Sequence, residues 1–528
     1  MGCTGRFIVW FSSLSGITLD ELMKKNSPLE RTLECKQRLS HSLLWDLQTA
    51  AYCQFGMQAW IEKGVPFYPT SNPYIARQYA QVVIGYLRDC LRADSPTSLD
   101  LSQPIYILDL GAGSGRFGYL FLNALRELLP VLHREIDIRY VMTDIVAANI
   151  EFWRSHPYLQ PYFREKILDF AFYHHAEQEA PIKLLLSGEE LSSQTLKNPL
   201  ILIGNYFFDT IPQDLFLTKE GKMYEGRITL AVEENPQTEH LLPKDPTIIN
   251  YLKTYFDYVP IDNIDQYYAD AELNHILKSY STVFNDIPIL FPEGAFKSIQ
   301  YFTRLSRGRL LLLAGDQGHA TEKQLAAFKT PYISKHGSFS IPVNYHAIAK
   351  YFKSQGGASL LTTHSHPAFV VSASILGGMP KDYCETQFAF KNYVDYFEPI
   401  EYFLLLEYTE KEWFQPDLEA ILLLIKLGNW DPINAHIFFD RIMRDLPNAS
   451  MQIKDRLAET IDCIWEKFFP ISVQEADFIM NLGVIFFTME RYDRALTYFK
   501  RALNLKNHDQ SILKNIAICE KKLGVEHS

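Results

Sequence analysis

The chain has 528 residues, more than a single hydrophobic core accommodates, so two or more domains are expected. At 47% hydrophobic and 21% charged residues, its composition is that of an ordinary globular protein and excludes the disordered and fibrous classes. A net charge of −11 without any basic run argues against nucleic acid as the main partner, whereas an acidic surface suits a basic substrate.

The opening, "MGCTGRFIVWF", places Gly2 and Cys3 where acylation sites occur, but Arg6 stands where a myristoylation signal wants Ser or Thr. The apolar patch Phe7–Phe11 is short for a signal sequence, so no targeting role is expected. Residues 30–95 read as helical. "HSLLWDLQTAAYCQFGMQAWIEKG" spaces Leu44, Leu47, Ala51 and Phe55 along one helical face, and Gly64 fits a helix stop. A second helix begins after "VPFYPTSN", with Ser71 or Asn72 as N-cap and Pro73 at its first position.

From Pro104 the pattern alternates between strand and helix. "IYILDL" (105–110), "IDIRYVMTD" (136–144), "EKILDF" (165–170), "PLILIGNYF" (199–207) and "GRLLLLAGD" (308–316) read as five strands. "RFGYLFLNALRELLP" and "YHAIAKYFKSQGG" read as helices, and "ASLLTTHS" and "AFVVSASIL" as a closing pair of strands. An insertion at about 218–285 holds polar and helical segments. Alternating β and α units predict a mostly parallel sheet with helices on both faces, with the ligand at the carboxyl ends of the strands.

After about residue 415 strands disappear. Ala476–Asp509 fits a helical repeat of about 34 residues through Ile479, Leu482, Gly483, Phe486, Tyr492, Ala495, Phe499 and Ala502. The small residues at 483, 495 and 502 let two helices approach closely. This stretch resembles the tetratricopeptide repeat, with Asn507 in place of the consensus Pro. One such repeat cannot bury its face alone, so the flanks, including 418–443, are expected to stack on it. Three regions follow: a helical N-terminal region (1–95), an α/β domain (96–415) and an all-α domain (416–528).

Seven scattered cysteines, an odd number without a C-x-x-C pair, predict free thiols in a reducing compartment, hence a cytoplasmic location. No apolar run approaches the roughly 18 residues of a membrane span.

The chemistry clusters at the strand ends. "LDLGAGSGRFG" sets Asp109 before Gly111, Gly113 and Gly115, glycines that permit a tight turn and close backbone approach to a ligand. Gly118 extends the pattern, so the glycines alone leave a dinucleotide open. Asp109 can accept from an amino-acid ammonium group or a nearby backbone amide. Asp144 ends the second strand, where a carboxylate can hold both hydroxyls of a ribose. Asp169 ends the third, where it can accept from an adenine amino group while Phe170 packs on the ring. Glycine loop, ribose acid and adenine acid come in the order that a class I S-adenosylmethionine site needs. The bland alternative is a βα turn with incidental acids.

With these residues in hand, the chain from about 60 to 375 resembles the MidA-like methyltransferases, a family that includes a mitochondrial arginine methyltransferase. "GVPFYPTSNPYIARQYA" resembles the family's F-Y-T-S-P-E-I-S segment, "LDLGAGSG" its E-L-G-P-G-x-G, and "GNYFFDTIP" its A-N-E-F-F-D-A-L-P. "LLLLAGDQG" and "HGSFSIPVNYHAIAKYFKSQG" resemble later family segments. The resemblance implies a Rossmann-like class I methyltransferase sheet. It implies S-adenosyl-L-methionine bound by Tyr68, Thr70, Gly111, Gly113, Gly115, Asp144 and Asp169. It also implies an acceptor site around Asn205, Asp209 and Asp316.

Methyl transfer asks the protein to align nucleophile, methyl and sulfur, and to remove a proton where the acceptor carries one. An arginine acceptor also needs carboxylates to orient its guanidinium, a role open to Asp209. Asn205 can orient the acceptor or brace the loop; equally, Asn205 can cap the turn and Asp209 the helix after it. Tyr206 replaces the family's Glu. A tyrosine cannot hold a guanidinium bidentately, so the substitution argues against arginine specificity.

The sequence thus predicts a methyltransferase acting on a protein side chain, with helical repeats recruiting a protein partner. A non-catalytic scaffold and a small-molecule methyltransferase are the alternatives. "THSHP" (His364, His366) lacks a third ligand nearby and reads as an edge strand, so no metal is expected; "YHH" (His174, His175) reads as loop surface.

Overall fold

A computed structural model describes residues 30–176, 179–362, 369–409, 411 and 413–524. The opening segment 1–11 and the pair His364 and His366 lie outside them. Seven strands form the central sheet: β2 (Ile105–Asp109), β3 (Ile138–Asp144), β4 (Leu168–Phe172), β5 (Leu200–Asn205), β10 (Leu310–Asp316), β11 (Ala358–Leu361) and β12 (Val370–Leu376). Their order is β11-β12-β10-β5-β2-β3-β4. Strands β4, β3, β2, β5 and β10 are mutually parallel, and β12 runs antiparallel between β10 and β11.

The apolar runs follow from burial on both faces. Tyr106, Leu108, Leu200, Leu202, Leu310 and Leu312 face one core. Their sequence neighbours Ile105, Ile107, Ile201, Ile203, Leu311 and Leu313 face the other. That second core is closed by helices α2 (Pro73–Leu91) and α3 (Arg116–Leu128), and the first by α5 (Ala271–Val283), α6 (Glu293–Leu305) and α7 (Tyr345–Ser354). The chain reverses its direction of strand addition between β2 and β5, which pair with Asp109 opposite Ile203. A Rossmann-like sheet opens its ligand crevice at such a switch point.

Two expectations are corrected. Residues 30–95 are not helical throughout: Glu30–Arg38 is a strand, β1, followed by helix α1 (Leu43–Phe55). The insertion is chiefly an antiparallel sheet. It comprises β6 (Asp214–Lys219), β7 (Lys222–Glu233), β8 (Leu252–Pro260) and β9 (Ile287–Phe291), with β1 paired to β7. Helix α5 is packed beside it. The physical reasons are specific. β7 alternates in its second half, burying Ile228, Leu230 and Val232 in one core. Glu220 and Gly221 both take positive φ, the backbone of a tight two-residue hairpin turn. β1 has no apolar period of its own. Its partner lies nearly 200 residues away, and Arg38 anchors it through a two-pronged bond to buried Asp214 under the rings of Tyr267 and Tyr268.

Among the described residues no strand follows Leu376. Helices α14 (Ala476–Thr488) and α15 (Tyr492–Leu505) form an antiparallel hairpin in which a Cβ on Gly483 would come 2.6 Å from the Phe499 ring. Helix α16 (Gln510–Lys522) packs on α15, and the hairpin shares one apolar core with the helices of 418–467.

Candidate functional site

At the switch point the backbone turns from β2 into α3 through Gly111 and Gly113, both at positive φ (66° and 56°). Space as well as conformation demands glycine here: a Cβ on Gly113 would stand 2.9 Å from the indole of Trp60, and one on Gly111 3.3 Å from the Phe207 ring. The loop is tied down on both sides. Leu110 N–H donates to the Ile203 carbonyl, Ala112 N–H to that of Thr143, and the Trp153 indole to that of Gly113.

One cavity joins this loop to the end of β5. Its wall includes Thr70, Asp109, Gly111, Gly113, Asp144, Asn205 and Tyr206, together with Tyr52, Trp60, Phe67, His174, His175, Phe207 and Thr210. Asp144 accepts from Gly113 N–H (3.3 Å), Val146 N–H (2.9 Å) and the Asn149 amide (3.1 Å). Asp144 also lies on the cavity wall, where a ribose hydroxyl can reach its carboxylate. Burial pushes Asp144 above the usual carboxylate range, against the pull of Asn149 and these amides. Asp109 takes its hydrogen bond from the Tyr140 hydroxyl (2.8 Å), not from a backbone amide, and burial pushes it up to about 7. The residues present fit S-adenosylmethionine: the cradle admits no Cβ, and a carboxylate on the cavity wall lies beside it.

Asn205 braces two elements. Its amide donates to the Thr70 carbonyl (3.2 Å) and its oxygen accepts from the Tyr79 hydroxyl (2.9 Å). Tyr206 lies in the left-handed region (φ 49°), rare for a bulky residue. Its N–H donates to the Gly315 carbonyl and its ring meets Phe369 edge-on. Burial pushes its hydroxyl far above the ordinary tyrosine range, so it is a neutral wall residue.

Several sequence-predicted residues lie behind the wall rather than in it. The Tyr68 hydroxyl points away, to Asp431. Gly115 caps α3 and packs on Met142 and Trp153. Asp169 spends its carboxylate on the N–H groups of Phe170, Leu186 and Ser187, and Phe170 is core, between Trp153 and Phe163. Asp316 accepts from Phe208 N–H (3.0 Å), Asp209 N–H (3.2 Å) and the Tyr345 hydroxyl. Burial, and after it the neighbouring Asp316, push the Asp209 carboxyl well up. Asp316 stiffens the 207–210 turn.

The reading of His174 and His175 as loop surface is also corrected: both line the cavity, because Tyr173 packs on Phe207 and turns the chain inward. Burial, aided by His174, pushes His175 down to about 3, leaving it uncharged at neutral pH. Trp60 carries no motif, and Phe67, although it begins the F-Y-T-S-like segment, is not among the predicted site residues. Among the described residues no cluster of three metal-ligating side chains occurs, and no helix is long and apolar enough to cross a membrane.

No curated protein matches the sequence. Among solved structures, the chain is similar to a Burkholderia thailandensis "likely methyl transferase" bound to S-adenosyl-homocysteine. That match has 14% identity and a TM-score of 0.36, over 60% of this chain and 80% of that one. A second Burkholderia thailandensis protein of the same superfamily matches at 12% identity and a TM-score of 0.36, over 66% of this chain and 94% of its own. Residues 89–365, just over half of the chain, match the family model described as "Putative S-adenosyl-L-methionine-dependent methyltransferase".

Proposed function

Because the chain belongs to this family of S-adenosyl-L-methionine-dependent methyltransferases, we propose that it methylates an uncharged side chain of a protein, presented at the Asn205–Pro212 edge of the cavity. The cofactor supplies a methyl group already activated on a sulfonium. The residues of the chain align and enclose. Gly111 and Gly113 admit the amino-acid portion, Asp144 accepts from the ribose, and Thr70 and Asn205 are locked together across the mouth. Trp60, Phe67 and Tyr206 exclude water.

One observation supports an uncharged acceptor: the carboxylates that line the cavity, Asp109 and Asp144, belong to the cofactor side. Asp209 and Asp316 are turned inward, and Tyr206 stands where the resembled family has Glu. A guanidinium would therefore enter an aromatic wall without a carboxylate to receive it, at a desolvation cost of several kcal/mol. In this reading the C-terminal helices recruit the protein that carries the acceptor.

Transfer of labelled methyl from S-adenosylmethionine to a cell lysate tests this. Label is expected in the protein fraction, on residues other than arginine. Label confined to low-mass products would replace the protein acceptor with a small molecule, and label on arginine would refute the uncharged acceptor.

A further inference from the structure

The C-terminal helices grip the cofactor cavity from outside at two points. The first is the segment 67–74. The Tyr68 hydroxyl donates to the carboxylate of Asp431, which is buried and also caps the helix Pro432–Ile437 through Ile433 N–H. The Asn429 amide donates to the Pro73 carbonyl at 2.9 Å, between buried residues. Phe67 and Thr70, on either side of Tyr68, line the cavity.

The second point is α3, the helix that leaves the glycine loop. Its first residue, Arg116, donates twice to the Phe469 carbonyl (3.1 and 3.0 Å) and pairs with Glu475. The same guanidinium lies 5.3 Å from the centre of the Phe67 ring, so the two grips meet. A buried hydroxyl–carboxylate bond and a doubly bonded guanidinium are expensive to leave unmade, and both hold backbone that carries cavity-wall residues.

We propose that Asp431 is a positioning residue for S-adenosylmethionine: through Tyr68 it fixes Phe67 and Thr70, so the helical region is a structural part of the cofactor site as well as an appendage. The proposal rests on the reading of the cavity as that site. Neither Tyr68 nor Asp431 touches the cofactor; they act through the wall.

The experiment is calorimetric titration of S-adenosylhomocysteine into the full chain, with KM for S-adenosylmethionine and kcat measured alongside. Asp431→Ala is expected to raise Kd about tenfold and to raise KM with kcat little changed. Asp431→Asn, which keeps an acceptor for the Tyr68 hydroxyl, should recover most of the affinity. Tyr68→Phe removes the same bond from the other side and should act in the same direction, which covers an Asp431→Ala chain that does not fold. Parent binding with unaltered affinity in both Asp431→Ala and Tyr68→Phe would overturn this proposal alone. No binding by the parent would overturn the cofactor reading and this proposal with it.

Discussion

Asp209 and Asp316 are neighbouring buried carboxyls: burial and the nearby Asp316 push the Asp209 carboxyl well above the usual carboxylate range, and burial pushes Asp316 up to about 7. Asp316 in turn receives Phe208 N–H, Asp209 N–H and the Tyr345 hydroxyl. The two acids are therefore unequal. Asp209→Asn conserves size and should change stability by less than about 1 kcal/mol. Asp316→Ala strands three buried donors and should cost about 3 kcal/mol or more. Urea denaturation of both variants checks the order, and equal losses would contradict it.

Gly113 should tolerate no side chain. Its φ of 56° and the indole of Trp60 at 2.9 Å act together. Gly113→Ala is expected to lose about 1–3 kcal/mol of stability and most cofactor affinity. Adding Trp60→Ala removes the clash but not the backbone cost, so thermal denaturation of the double variant should show partial recovery. Full recovery would mean that conformation is irrelevant there.

Asp144 both organises the loop and faces the cavity, where a ribose hydroxyl can reach it. Asp144→Ala should weaken S-adenosylhomocysteine at least tenfold in calorimetry, about 1.4 kcal/mol. Asp169→Ala removes an anchor of the 185–187 turn, which lies outside the cavity wall, and should cost stability with far less loss of affinity. Equal losses of affinity would restore Asp169 to the site.

Asp109 makes stability depend on pH. Burial raises its carboxyl from 3.8 to about 7, so between those values the folded chain binds more protons than the unfolded chain. Its contribution is fully present below about pH 4 and is lost as pH rises through about 7. Asp109→Asn removes that dependence. Relative to the parent, the variant should therefore gain stability from pH 5 to pH 8 in urea midpoints. A difference that stays constant would show that Asp109 is ionised throughout.

The parallel sheet was legible because runs such as Leu200–Ile203 are apolar on both faces and end in polar residues. The wall residues Gly111, Gly113, Asp144, Asn205 and Tyr206 were legible for the same reason: they lie where such strands end, in residue types suited to the chemistry. Thr70, in the helical turn 68–70, was legible only through the family resemblance. Tyr68, Asp169 and Phe170 do not lie at strand ends: Asp169 and Phe170 lie inside β4, short of its carboxyl end at Phe172, and Tyr68 lies in the short helical turn 68–70. Asp169 serves the 185–187 turn, and Tyr68 turns toward a helix more than 350 residues away in the chain. Nothing local fixes those directions. β1 was missed because only its distant partner makes it a strand, whereas the Glu220–Gly221 turn and the alternation of Lys222–Glu233 were visible signals of a hairpin. Trp60 and His175 reach the cavity through tertiary packing that no spacing announces.

The central claim is that cofactor and acceptor meet in the cavity between the glycine loop and the end of β5. A crystal structure of the S-adenosylhomocysteine complex tests it most directly. The account predicts the ribose on Asp144, the amino-acid portion on Gly111 and Gly113, and the sulfur facing Asn205 and Tyr206. A ribose away from Asp144, or a sulfur facing away from the Asn205–Pro212 edge, would contradict it.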